Sequence, residues 1–121
     1  MCYLNNMSDI EKLIDEIKKF RDERDWKQFH KPKDLAISLS LEAAEVLEHF
    51  QWKNEEEIRE YVETNKEHIG EELADVLYWV LLMSSDFGID IQEALKAKLQ
   101  KNREKYPVEK VRGRHTKYDK L

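Results

Sequence analysis

A chain of 121 residues is long enough for one domain with a single core. Charged residues make up 39% of it and only three Gly and two Pro interrupt it, a balance that favours helices. The formal net charge of −5 argues against a general nucleic-acid binder, and the single Cys2 excludes an internal disulfide or a cysteine-based zinc site.

One cysteine also suits a reducing compartment. No basic, apolar and small-residue succession of the kind that forms a signal peptide opens the sequence. The apolar run at 73–83 is too short to span a bilayer. The expectation is a cytoplasmic helical domain with no nucleic-acid or membrane partner.

In chain order, residues 1–8 read as a frayed leader. Ser8 with Glu11 forms a capping box that starts a first helix from about Asp9 to Arg24. Asp25–Lys31 reads as a loop with two aromatics, and Pro32 suits the first turn of a second helix reaching about Phe50. Asn54 with Glu57 starts a short third helix to about Glu63. Thr64 with Glu67 starts a fourth, stopped at Phe87 by Gly88. Asp90 with Glu93 caps the last long helix, which Pro107 ends. The predicted fold is all-α: a bundle of four main helices plus one short helix over residues 9–107. A basic tail follows at 108–121, with Lys110, Arg112, Arg114, Lys117 and Lys120.

The most informative residue is Asp75, inside Leu73-Ala74-Asp75-Val76-Leu77-Tyr78-Trp79-Val80-Leu81-Leu82-Met83. A helix apolar on all sides is expected to be buried, and an isolated charge there must be neutralised, paired or bound to a cation. Glu72 stands one turn earlier, and Glu42 with Glu45 repeats the spacing. At about 100° per residue, Ser38, Glu42, Glu45 and His49 share an arc of roughly 60°. That stripe is acidic, narrow and free of Lys and Arg, unlike a solvated face. Residues three apart on a helix are neighbours, so each pair aims two carboxylates at one point. Face to face, the pairs would form an oxygen cage suited to Mg²⁺ or Mn²⁺. A di-iron centre requires Glu-x-x-His pairs, which these helices lack. His49 and His68 are expected beside the carboxylates rather than as ligands, and Trp79 in the core.

At these residues the chain resembles the all-α nucleoside triphosphate pyrophosphohydrolases, the MazG-like superfamily. The signature E-x-x-E, spacer, E-x-x-D is matched by Glu42-Ala43-Ala44-Glu45 and Glu72-Leu73-Ala74-Asp75. The stretches Arg24–His30, Phe50–Lys53 and Asn102–Pro107, with Lys117-Tyr118, are most similar to the dCTP pyrophosphatase branch. The resemblance implies a dimer or tetramer that hydrolyses a (deoxy)nucleoside triphosphate, dCTP or a modified dCTP above all, with Mg²⁺. It implies that Glu42, Glu45, Glu72 and Asp75 are the catalytic metal ligands and that Trp26 and Trp52 line the base pocket. His30 and Lys53 would join them as substrate contacts, and Lys98, Asn102 and Tyr106 would meet sugar and phosphates. Ile17 departs from the pattern, because cytosine-preferring relatives can place a polar residue there; this leaves the base open. Turnover of dUTP, dATP or phosphoribosyl-ATP, or binding without turnover, are the alternatives.

Overall fold

The computed structural model describes residues 6–115 and 117–120; Cys2, most of the expected leader and part of the tail lie outside them. The described residues contain no strand. Five main helices occur: α1 (Asp9–Glu23), α2 (Pro32–Glu48), α3 (Glu55–Thr64), α4 (Lys66–Asp86) and α5 (Ile91–Lys105). A single turn, α6 (Val108–Val111), and 3₁₀ turns at Lys27–Phe29 and Tyr118–Lys120 complete them. The chain divides into two compact units, the first ending at Gly88 and the second beginning at Ile89. The helical reading therefore stands, with α6 added inside the expected tail.

Most helix boundaries follow from short-range hydrogen bonding. The Ser8 hydroxyl accepts from Glu11 N at 3.1 Å while Glu11 accepts from Ser8 N at 3.4 Å. The same reciprocal box joins Asn54 and Glu57, and Asp90 accepts from Glu93 N at 3.1 Å. Gly88, with φ of 67°, supplies the left-handed turn that stops α4. The fourth helix does not begin on a Thr64 cap: Thr64 closes α3, and its hydroxyl bonds back to Glu60 O at 3.2 Å. Asn65 precedes α4 without a side-chain cap.

Within the first unit, α4 is the hub on which α1, α2 and α3 pack. The fully buried apolar side chains among the described residues are Leu35 of α2 with Leu81 and Leu82 of α4. So small a core overturns the expectation that α4 is buried all round. Only Leu81, Leu82 and Ser84 of α4 are buried, while Leu73 (53% exposed) and Leu77 (49%) face outward and Asp75 is exposed. The apolar excess of α4 is thus partly uncovered, and Ile37, Leu41 and Leu47 of α2 are exposed as well.

Candidate active site

Glu42 and Glu45 project from α2, and Glu72 and Asp75 from α4, so that one oxygen from each lies within 4.8 Å of all the others. Glu42, Glu45 and Glu72 are half-buried. Glu42 Oε2 and Glu72 Oε2 are buried without a hydrogen-bond partner. Four like charges in so small a space cannot all stay ionised without a counter-charge. A hydrogen bond shared with Glu45, aided by burial and by the neighbouring charges, pushes the Glu72 carboxyl up to about 7. Burial first, then Glu45 and Asp75, raises Glu42 above its ordinary value. Orphaned hard oxygens on self-repelling carboxylates are a donor set for a divalent cation.

A cavity of about 500 Å³ opens beside this cluster, with Glu42 and Asp75 in its wall. Its other lining residues are Leu13, Glu16, Ile17 and Phe20 of α1, Trp26, and Tyr78 and Trp79 of α4. The α1 residues share one face because they recur three and four apart. Trp26 is brought there by the way α1 ends. Asp25 adopts φ of 53°, a conformation that Asp tolerates better than most residues. Asp25 N then donates to Asp22 O at 3.1 Å and Trp26 N to Arg21 O at 3.2 Å. This paired-bond cap carries its usual apolar contact, here the Trp26 ring edge-on to Phe20 at 5.8 Å between centroids. Phe20 also meets Tyr78 edge-on at 6.3 Å, and Tyr78 meets Trp79 at 5.0 Å. The result is an aromatic slot ending at the acidic cluster.

The other expected site residues are placed differently. His30 lines a second cavity of about 380 Å³ with Lys18, Arg21, Lys27, Ser85 and Asp86. Its ring lies edge-on to Trp79 at 5.5 Å, and burial, then the Arg21 charge, lowers its pKa. Trp52 is 86% exposed and is not among the residues lining the slot. Lys53 donates to His49 O at 2.8 Å and sits 4.2 Å over the Tyr61 ring, closing the C-terminus of α2. Lys98 and Asn102 lie on α5 in the second unit and Tyr106 follows it; Asn102 O accepts from Tyr106 N at 2.8 Å. His49 bonds Tyr61 Oη at 2.6 Å, and His68 is exposed, 4.0 Å from Glu71. Trp79, expected in the core, is a wall of the slot. Leu13, Glu16, Phe20 and Tyr78 were not singled out from the sequence. The spacing of Leu13, Ile17 and Phe20 marks a face of α1, but nothing in the sequence says that a slot lies against it.

Known proteins similar to this chain point to one family. The MazG-like family model matches residues 37–121. dCTP pyrophosphatase 1 of Mus musculus is 38% identical over 117 residues, covering 95% of this chain and 67% of that protein. The Homo sapiens protein of the same name is 35% identical over the same length and shares of the two chains. A crystal structure of a pyrophosphatase from Archaeoglobus fulgidus superposes with a TM-score of 0.79 at 43% identity, over 84% of this chain and 95% of that one. The chain belongs to the MazG-like family. It is a nucleoside triphosphate pyrophosphohydrolase.

Proposed function

We propose that this enzyme hydrolyses dCTP or a modified dCTP to the monophosphate and pyrophosphate, using Mg²⁺, with Mn²⁺ as a substitute. The observation that carries the reading is the junction of the slot and the cluster: Glu42 and Asp75 belong to both. A nucleotide with its base among Trp26, Phe20 and Tyr78 would bring its phosphates to the carboxylates. The named relatives act on dCTP by their names, which directs the choice of base.

Glu42, Glu45, Glu72 and Asp75 would hold the cation. When bound, Mg²⁺ neutralises phosphate charge and lowers the pKa of water. The chain's own residues do the rest. The aromatic walls stack the base and exclude water from it, which fixes the reacting end. A cluster carboxylate accepts the proton of the attacking water. The family resemblance also proposes Lys98, Asn102 and Tyr106 for sugar and phosphates and His30 and Lys53 for the substrate, although none of them is among the residues lining the slot.

The same reading includes a cytoplasmic homo-oligomer, dimer or tetramer. Leu41 (60% exposed), Leu47 (59%) and Leu73 (53%) are bare apolar side chains that a second copy would cover, and Trp52 would serve a site completed by it. No described helix is long and apolar enough to cross a membrane. Ile17 in the slot wall favours a second reading, the same reaction on another base such as that of dUTP or dATP.

The deciding experiment is pyrophosphate release from a panel of canonical and modified dNTPs and NTPs, with Mg²⁺ and with EDTA. Magnesium-dependent release from dCTP analogues is expected. Preference for another base would transfer the assignment, and silence across the panel would reject this substrate class.

A further inference from the structure

Among the described residues, α1 has one substantial helical neighbour, α4, yet α1 supplies one wall of the slot and α4 the other. The width of the slot is therefore the spacing of these two helices. At their C-terminal ends, Arg21 donates two parallel hydrogen bonds to Asp86, from Nη1 to Oδ2 at 2.7 Å and from Nη2 to Oδ1 at 3.0 Å. Arg21 is 1% exposed. The Arg21 carbonyl, in turn, holds the Trp26 amide.

We propose that Arg21 and Asp86 are positioning residues that set the gap between the walls of the nucleotide slot; this rests on the reading of the slot as the base site. Three observations favour positioning over plain stabilisation. First, a forked pair of bonds fixes rotation as well as distance, which apolar contacts do not. Second, the pair borders the cavity of about 380 Å³, so close packing does not set the helix spacing at this end. Third, buried ion pairs are poor devices for stability alone, since apolar residues of similar volume often serve as well or better. Phe20, next to Arg21, carries the constraint into the slot through its contacts with Trp26 and Tyr78.

The test uses the full-length enzyme, its best triphosphate and Mg²⁺. Arg21→Lys keeps the charge and loses the fork. The double variant Arg21→Met with Asp86→Leu removes the pair while keeping apolar volume, and guards against a single variant that fails to fold. In the folded variants KM is expected to rise about tenfold with kcat within about twofold of the parent, equivalent to a single misplaced binding contact. Acrylamide quenching of the nucleotide-free tryptophans is expected to increase as the wall beside Trp26 loosens. A folded double variant with the parent's KM and quenching overturns the proposal, as does a fall in kcat at unchanged KM. If the parent turns over no triphosphate, the reading of the slot fails instead. The quenching comparison then still decides whether the pair sets the gap.

Discussion

Two places in the first unit take charge out of water, and they solve the problem in opposite ways. At the end of α4, Asp86 meets a guanidinium whose fork matches it, so the two charges balance although Arg21 Nε is buried without a partner. The hydrogen bond to Asp86 raises the Arg21 pKa against the opposing effect of burial. Nearer the middle of α4, Glu72 and Asp75 meet Glu42 and Glu45, and among the described residues Glu42 Oε2 and Glu72 Oε2 are buried without a partner. A charge-balanced pair holds structure in place, whereas a cluster of like charges is incomplete until something positive arrives. The contrast separates a part that positions from a part that reacts, on a single helix.

Breaking the cluster is expected to have the largest effect on activity. Glu72→Gln should lower kcat by roughly 10³-fold or more, because it removes a cation ligand and with it several kcal/mol of charge stabilisation. The same change should raise the Tm of the metal-free protein, because it removes a repelling charge. Circular dichroism melts in EDTA alongside the activity assay check both. A variant that loses stability and keeps turnover would show that the cluster holds the fold rather than the cation.

Breaking the pair should cost stability as well as substrate binding. Asp86→Asn leaves the Arg21 charge buried without a counter-ion, at an expected loss of about 3 kcal/mol of stability. Denaturant unfolding measures that loss. An effect below about 1 kcal/mol would place the pair with ordinary surface ion pairs.

What the sequence made legible divides along the same line. The boxes at Ser8 and Asn54 and the glycine stop at Gly88 depend on residues a few positions apart, and the structure bears them out. The convergence of the two acidic pairs was readable because each pair is local and each interrupts an apolar helix. The pairing of Arg21 with Asp86 was not, because 65 residues separate them. Trp26 was noticed, but its placement depends on Asp25 adopting a left-handed conformation that glycine usually supplies. Trp79 was assigned to the core because α4 reads as apolar on every side, and periodicity does not distinguish a core from a slot. Leu73 and Leu77 failed the same expectation because a single chain leaves that face uncovered.

A third prediction sharpens the slot against the cluster. Trp26→Ala removes one stacking ring while leaving all four carboxylates in place. Stacking of this kind is worth about 2 kcal/mol, so KM should rise roughly 30-fold with kcat changed far less. Steady-state kinetics on the best substrate measures it. A selective loss of kcat would mean that Trp26 acts on the reacting end, contrary to the proposed division of labour.

The smallest expected effect concerns pH, and it isolates the cluster in the absence of any cation. Glu72 ordinarily titrates near 4.5 and is pushed up to about 7 in the fold, with Glu42 raised as well. Between those two values the folded chain binds more protons than the unfolded one, so stability must fall as pH rises through the window. The metal-free Tm is therefore expected to decline by a few degrees from about pH 5 to pH 8, the range set by those values. Most small proteins, whose carboxylates are held by opposite charges, gain stability over the lower part of that range. Adding Mg²⁺ should flatten or reverse the trend, because a cation replaces the shared proton and binds the folded state alone. Glu72→Gln should abolish most of the metal-free slope. If the slope survives in that variant, the titration belongs elsewhere, and the incompleteness of the cluster loses its thermodynamic signature.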